Sequence, residues 1–579
     1  MKKPNIIYVL TDDQGYGDLG CHGNTLIQTP NIDHFHDESL RLTNFHVGPT
    51  CAPTRSGLMT GHYANSTGVW HTIGGRSLLR KDEWTLPTAL KESGYATGIF
   101  GKWHLGDEYP YRPMDRGFDR SIVHGGGGIG QTPDCWGNDY FDDAYYVDGQ
   151  ERRFEGYCTD VFFSQALDYI KEQVDKDQPF FCYIPTNAPH SPYNVEDKYA
   201  DPYRDKVPED RARFYGMISN IDKNFGVLKE KLTEWGILED TILIFMTDNG
   251  SSCAASLDPN EFVIEGYNGG LRGLKNSEYD GGHRVPFFIN WPNGDLGGGK
   301  DIDAVTANID FMPTLLDLCD IPIKDGVDFH GKSLSPLFEN KGSWQERAIV
   351  TDSQRLTNPV KWRKSSVMTD QWRLINGREL YEINKDREQR NDVAYAHPEL
   401  VADLRKAYEQ WWQLVSVKFD QPIPIVLGQV ATAFTSHDMR NEECHVAWNQ
   451  SLVRTGIQVE GYFEIEVEQR GSYCLELRRW PKSQNRPITK GIDGDDIEFS
   501  RNYIQEKHWG TYTGGNALAI EEATVEIQGQ KESCKVSTED TVASFNLDLV
   551  PGATNLKAWF SDAHNYCTAA YYINVELNQ

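Results

Sequence analysis

Five short segments of the chain are apolar almost throughout instead of alternating: NIIYVL (Asn5–Leu10), YATGIF (Tyr95–Phe100), FFCYI (Phe180–Ile184), TILIFM (Thr241–Met246) and VPFFINW (Val285–Trp291). Such runs predict strands buried on both faces of a largely parallel sheet. Helical spacing fills the segments between them. Val161, Phe162, Leu167, Ile170 and Val174 form one apolar stripe behind a predicted N-cap at Thr159. Phe214, Ile218, Ile221, Phe225, Leu228 and Leu232 form a second, starting near Arg211 and stopping at Gly236. Both stripes read as core faces. After about Lys341 the pattern changes to short strands (SSVMTDQWRLI, ELYEI) and a helix from Pro398 to about Trp412, a small α+β unit. FDQPIPIVLG (Phe419–Gly428) reads as a linker or domain entry, and alternating strands such as GYFEIEVEQ, GSYCLELRRW, ATVEIQG, ASFNLDL and AAYYINVEL follow it. The expected organisation is an α/β domain over 1–340, a small C-terminal α+β subdomain over 341–418 and an all-β, sandwich-like domain over 419–579.

Composition changes this picture little. The 579 residues are 39% hydrophobic and 25% charged, as in ordinary soluble globular proteins. A net charge of −28 argues against nucleic-acid binding and requires any anionic substrate to be held by a local basic cluster. No run approaches the length of a membrane span. The opening MKKPNIIYVLTDDQG has too short an apolar run for a signal sequence. The expected location is cytoplasmic if the sequence is complete as given, and periplasmic or secreted if a signal peptide has been removed. Eleven cysteines without C-x-x-C or paired zinc spacing disfavour a zinc ribbon or a thioredoxin-like motif.

Candidate chemistry gathers at strand ends. IIYVLTDDQG and ILIFMTDNGS rhyme: each is a buried strand that ends in paired oxygen donors, Asp12–Asp13 and Asp248–Asn249. An all-oxygen set suits Ca²⁺ or Mg²⁺ better than zinc. Adjacent acids are usually a solvated turn, but the repeated strand context lifts metal binding above that. Lys102 and His104 follow a second strand, His190 a third, and Lys275 and His283 lie in a glycine-rich approach to a fourth. Singly, each reads as a surface charge or a structural histidine. Together on one sheet edge they would make a basic pocket for a tetrahedral oxyanion beside a divalent ion. Cys51, in TCAPTRSGLMTG, stands at or before a helix N-terminus because Pro53 suits a first helical turn, and Arg55 lies one turn on. A cysteine-protease reading leaves the metal ligands unexplained.

CAPTRSGLMTG resembles the sulfatase signature C-x-P-x-R, whose cysteine is oxidised to formylglycine. TDDQGYGDLGCHG, GKWHLG, APHSPY, TDNG and LRGLKNSEYDGGHRVP stand in the order of that family; DFMPTLLDLCDI, GKSLSPLF and ELYEINKDREQRNDVA extend the match to about Trp412. The resemblance implies an alkaline-phosphatase-like fold, a mixed central sheet flanked by helices with a smaller C-terminal sheet. It implies Ca²⁺ on Asp12, Asp13, Asp248, Asn249 and the modified Cys51, with Mg²⁺ an alternative. One hydroxyl of the hydrated aldehyde would attack sulfur and the other would eliminate sulfate. Arg55, Lys102 and Lys275 would neutralise the sulfate oxygens, His190 with Lys275 would protonate the leaving oxygen, and His104 would assist the diol. It implies a formylglycine-generating or anaerobic sulfatase-maturating enzyme as partner.

The substrate is expected to be a sulfated carbohydrate, an oligosaccharide of an algal polysaccharide such as ulvan. The insertion HGGGGIGQTPDCWGNDYFDDAYYVDGQ (His124–Gln150) has the polar and aromatic character of a sugar-lining loop. Its acids Asp139, Asp142 and Asp143 lack EF-hand spacing and read as a hairpin with a solvated edge. His283 departs from the aliphatic residue the family usually carries there. His283, Arg284, His71, Gln131 and Asp139 are the expected substrate contacts. Two alternatives stay open: a formylglycine-dependent phosphonate or phosphate ester hydrolase, and a non-catalytic sulfated-glycan-binding protein with an unconverted cysteine. TDNG favours sulfate over the first, because phosphonate enzymes tend to end that pair in Asp–His.

Overall fold

The computed structural model describes residues 3–339, 344–494, 514–564 and 567–578. Asn5–Thr11 (β1) lies in the middle of a ten-stranded sheet. Its other strands are Leu40–Leu42 (β2), Ala96–Lys102 (β3), Arg120–His124 (β4), Ala144–Val147 (β5), Gln150–Arg153 (β6), Phe180–Pro185 (β7), Thr241–Thr247 (β8), Phe287–Asn290 (β9) and Asp301–Ile302 (β10). They order as β10-β2-β9-β8-β1-β7-β3-β4-β5-β6. β8, β1, β7, β3 and β4 are parallel, so their carboxyl ends, where the acids and bases follow, share one edge. β9 runs antiparallel to β8 and β2, against the parallel strand expected of VPFFINW. An unbroken apolar run reports burial on both faces and carries no information about direction.

Alternate residues of β1 feed two cores. Ile6, Tyr8 and Leu10 pack with Ala52, Leu58 and Met59 of the helix Cys51–Thr60, while Ile7 and Val9 join the helices Cys158–Asp175 and Glu209–Glu234 on the other face. The sheet is therefore covered on both sides. The helix expected to be capped by Thr159 starts at Cys158, with Tyr157 at the N-cap and Thr159 buried in the first turn. Cys158 N donates to Tyr140 O (2.8 Å), which fixes that earlier start.

Ile349–Asp352, Ser365–Met368, Trp372–Ile375 and Glu379–Glu382 form a four-stranded antiparallel sheet. The helix Pro398–Val415 covers it, packing Val401, Leu404, Tyr408 and Trp411 on Val367, Leu374 and Leu380. The expected boundary between 340 and 341 falls outside the described residues.

Two further sheets share one core beyond residue 424. One orders Ile425–Leu427, Phe463–Val467, Gly552–Ser561, Glu522–Ile527 and Gln530–Lys535; the other orders Thr432–Thr435, Tyr572–Leu577, Gly471–Arg478 and Ala543–Leu549. Inward residues of both, such as Phe463, Ile465, Tyr473 and Leu475, form the core between the sheets. Leu78 and Tyr111 of the α/β body belong to that same core. The sandwich is thus packed onto the body and does not hang from a linker.

Candidate active site

Residue 51 is the first residue of a helix whose every residue is buried, entered from an extended Thr50 and ended by Gly61 at φ 70°. Pro53 sits in the first turn, where its missing N–H removes no helical bond. Cys51 is 2% exposed, and its Sγ lies 4.0 Å from Asp13 Oδ1. Three strand ends surround it. Asp12 and Asp13 follow β1 and Asp248 and Asn249 follow β8. Asp12 N donates to Ala188 O, Asp248 N to Thr11 O, and Asp13 N to Asp248 Oδ1 (3.1 Å). Asp13 adopts φ 67°, a strained value that turns its carboxylate into the cluster.

Each of the three carboxylates meets a cation. Lys102 Nζ donates to Asp12 Oδ2 at 2.7 Å, with both side chains fully buried. Arg55 donates through Nε (3.2 Å) and Nη2 (2.8 Å) to Asp248 Oδ2, and through Nη1 to Lys102 O (2.9 Å). Lys275 Nζ lies 2.6 Å from Asp13 Oδ1 and 2.7 Å from Oδ2. His190 Nε2 stands 3.7 Å from Asp13 Oδ2. Burial would raise Asp13, but Lys275, His190 and the Asn249 amide outweigh it and hold the carboxyl well below its usual range. Burial and then Asp12 push Asp248 up to about 6, against Arg55 and Lys102. Burial and Asp12 also push the Cys51 thiol up to about 12, so an unmodified Cys51 is a poor thiolate nucleophile.

The donor set fits a hard divalent cation. Asp12, Asp13 and Asp248 each bring an oxygen within 4.8 Å of the others, and Asp12 Oδ1 and Asn249 Oδ1 are buried without a hydrogen-bond partner. Orphaned oxygens at a cluster of three acids are the arrangement Ca²⁺ or Mg²⁺ satisfies. Three positive and three negative side chains already balance, so a divalent cation added to the cluster would leave positive charge for an anion to offset.

Two histidines and a glycine run close the site. His104 Nε2 lies 2.9 Å from Thr72 O; the carbonyl only accepts, so Nε2 carries the proton and Nδ1 the lone pair. Burial and Lys102 hold His104 well below its usual value, hence neutral. A Cβ at Gly127 would stand 2.3 Å from the His104 ring, so only glycine allows this approach. Gln131 Oε1 accepts from Gly127 N (2.7 Å), and Tyr140 OH donates to His190 O (2.9 Å). The 124–150 insertion therefore packs its Gly127 backbone on His104 and holds His190 through the Tyr140 hydroxyl.

Several expected substrate contacts take other roles. His283 is fully buried, with Nδ1 2.9 Å from His46 Nδ1 and Nε2 3.1 Å from Glu278 O, so both ring nitrogens are spent inside the fold. Arg284 is directed to Thr43 O through Nε and Nη2 (3.0 and 2.7 Å). Asp139 and Asp143 are buried, not on a solvated edge: Asp143 accepts from the N–H groups of Asp139 (2.9 Å) and Tyr140 (3.0 Å) and fixes the turn. Asp142 likewise accepts from Gly156 N (2.7 Å). His71 is buried and takes the Thr72 N–H on Nδ1 (2.6 Å), which shapes the loop that holds His104. Sequence reasoning missed Thr72, which acts through its carbonyl. It also missed His437 of the sandwich, whose ring lies 6.4 Å from that of His104. The run GGGG was the signal available for the first layer of this wall, and His437 has none.

A parallel sheet covered by helices, with its acids and bases at the carboxyl edge, defines a protein of the alkaline-phosphatase-like superfamily. The chain belongs to the sulfatase family: the sulfatase family model matches residues 4–321. The model of the N-sulphoglucosamine sulphohydrolase C-terminal region matches residues 275–413, so both end before the sandwich. Arylsulfatase J of Mus musculus is 32% identical over 348 residues, 57% of this chain and 54% of its own length. The chain thus spans about half of that relative. The ulvan-active sulfatase of Formosa agariphila is 30% identical over 371 residues, 60% of this chain and 67% of its own length. Among solved structures, Ps i-CgsB in complex with k-i-k-neocarrahexaose aligns with a TM-score of 0.63 at 26% identity, covering 72% of this chain and 98% of that chain.

Proposed function

We propose that this chain is a sulfuric ester hydrolase that removes sulfate from a sulfated carbohydrate, with an oligosaccharide of an algal-type polysaccharide such as ulvan as its substrate. The observation that carries the reading is the placement of Cys51 at the head of a buried helix, inside a balanced ring of three carboxylates and three cations. Likeness to an ulvan-active sulfatase and to a structure in complex with k-i-k-neocarrahexaose supports the carbohydrate class. Residues 1–340 and 341–418 would build the site, and 419–579 would brace it.

In this reading Asp12, Asp13, Asp248, Asn249 and residue 51 would hold Ca²⁺, which would supply positive charge facing the sulfate oxygens. Residue 51 in its formylglycine hydrate form supplies two hydroxyls, one to attack sulfur and one to release sulfate. Because Cys51 is buried in the folded chain, the maturating enzyme must act before folding is complete. Arg55, Lys102 and Lys275 neutralise charge that grows on the sulfate oxygens. His104 Nδ1, the nitrogen with the lone pair, takes the proton of a hydroxyl on residue 51. His190 and Lys275 face the same Asp13 carboxylate and serve the leaving oxygen, Lys275 being the member charged in the resting site.

Sulfate release from a panel of defined sulfated oligosaccharides, ulvan fragments included, tests the proposal on protein whose residue-51 conversion has been verified by peptide mass. Release from at least one glycan, lost in Cys51→Ala, is the expected result. Faster turnover of nitrophenyl phosphate than of nitrophenyl sulfate, or no release from any sulfate ester, would sink it.

A further inference from the structure

Cys21, His22 and His36 stand apart from the residues around Cys51, yet they bring a thiol and a ring nitrogen of each imidazole within 4.8 Å of one another. All three are half-buried and line an open cavity of about 270 Å³. Cys21 and His22 come from the short turn Gly20–His22, and His36 from the helix Pro30–Glu38. The turn is held firmly. Cys21 N donates to Asp33 Oδ1 (2.8 Å), Tyr267 OH donates to His22 O (2.7 Å), and Tyr16 stacks on the His22 ring at 3.9 Å.

The hydrogen bonds behind the imidazoles select the free nitrogens. His22 Nδ1 lies 2.7 Å from Tyr16 O, which only accepts, so Nδ1 carries the proton and Nε2 the lone pair. His36 Nδ1 lies 3.0 Å from Asp37 Oδ1, which makes the same assignment. A carbonyl or carboxylate behind the ring is the usual second partner of a metal-bound histidine. Burial, with His36, Arg387 and Arg284 nearby, pushes His22 down to about 3, so it is neutral and able to ligate. Arg41, on the same cavity wall, is paired with Asp301 at 2.6 Å.

We propose that Cys21, His22 and His36 form a Zn²⁺ site, distinct from the oxygen-donor site, that clips the turn after β1 to the helix Pro30–Glu38. One thiolate and two imidazoles are soft-to-borderline donors that suit Zn²⁺ and not Ca²⁺, and the cavity leaves the fourth tetrahedral position to water. Burial and Asp33 push the Cys21 thiol up, so the metal must displace its proton to solvent on binding, with no change of oxidation state.

The test uses the full-length protein, stripped of metal and then saturated with Ca²⁺ so that the oxygen-donor site is filled. Zn²⁺ is titrated against a chromophoric chelator, and Co²⁺ serves as the spectroscopic probe. Wild type should retain one tight Zn²⁺ equivalent and show a thiolate-to-cobalt charge-transfer band. Cys21→Ser and His36→Gln should each lose that equivalent, and Cys21→Ser should lose the band, while Cys534→Ser keeps both. If Cys21→Ser does not fold, as judged by metal-free melting, His36→Gln alone decides by its loss of the equivalent. Equal Zn²⁺ retention by wild type and His36→Gln, or a cobalt–thiolate band that survives in Cys21→Ser, overturns the site. Neither readout depends on sulfate ester hydrolysis, so failure here leaves the proposed activity untouched.

Discussion

Asp13 touches more of the site than any other single side chain described: Lys275 on both oxygens, His190 at 3.7 Å, the Asn249 amide at 2.9 Å and the Cys51 Sγ at 4.0 Å. Asp13→Ala should therefore lower turnover by at least about 10³-fold, because the proposed cation would be lost with its ligand. The fold should weaken but persist, since the Lys275 ion pair that keeps Asp13 ionised is lost while repulsion from Asp12 and Asp248 is relieved. Sulfate release together with metal content of the purified variant checks this, and wild-type rates at ordinary Ca²⁺ would refute the ligand assignment. Cys51→Ser separates the two halves of the proposed chemistry. One hydroxyl is enough to attack sulfur, but the ester it forms has no second hydroxyl from which to expel sulfate. Turnover should stop after about one event per site, with sulfate on the serine peptide by mass spectrometry. Sustained turnover would exclude the diol. The residues of this cluster were legible because strand-end acids and a Cys-x-Pro-x-Arg helix start leave local marks. His283 was misread because its true partner, His46, lies 237 positions away and nothing in the local sequence announces the pair.

The glycine run after β4 shows how an element can do its work through backbone alone. Its shape is set by Asp134, which is buried and accepts from Gly125 N (3.1 Å), Gly130 N (2.9 Å) and Asn138 Nδ2 (3.0 Å). Burial nevertheless pushes Asp134 up to about 7 from 3.8, outweighing those donors. The sign of the linkage follows. A folded-state pKa above the unfolded one means the fold binds the proton more tightly. The contribution is complete below pH about 4 and is lost as pH rises to about 7, at no more than about 1.4 kcal/mol per pH unit. Asp134→Asn cannot ionise, so the stability difference between variant and wild type should move in the variant's favour across that window. Urea unfolding at pH 5 and pH 7.5 measures it; a difference independent of pH would show that Asp134 is ionised throughout. At this scale the sequence marked the insertion as polar and aromatic but placed its acids in solvent. Buried acids that bond to N–H groups of their own turn have the same local spelling as exposed ones, and only the chain folded over them distinguishes the two.

At the scale of the whole molecule, the sandwich is part of the wall of the site. Gln450 is fully buried; its Nε2 donates to the carbonyls of Gln131 (3.1 Å), Asp134 (3.2 Å) and Cys135 (3.2 Å), and its Oε1 accepts from Gly137 N (3.0 Å). Thr132 adds bonds to Ala447 O (2.6 Å) and Trp448 O (3.0 Å), and Trp136 packs edge-on against Trp480 at 5.5 Å. On the other side of the site, Gly74 N donates to His437 O at 2.7 Å, two residues from the Thr72 carbonyl that orients His104. Reading the sequence from its motifs set residues 419–579 apart, because no motif lies there and periodicity within a strand says nothing about what its loops touch. The packing argues for dependence. A chain ending at residue 418 would expose Leu78, Tyr111 and Trp136, so it should aggregate or melt well below the full protein. Gln450→Ala asks the same question without removing the domain. It takes the printed partner from the Asp134 carbonyl and the Gly137 N–H, while Gln131 O and Cys135 O keep Asp134 N and Asn138 N, and should cost about 1–3 kcal/mol. Because the lost bonds hold the insertion that carries Gly127, turnover of a sulfate ester should fall with stability, and more in kcat than in KM. Denaturant unfolding and steady-state kinetics on the variant, beside the solubility of the 1–418 chain, decide the matter. A soluble 1–418 protein with full-length stability and activity would make the sandwich a passenger.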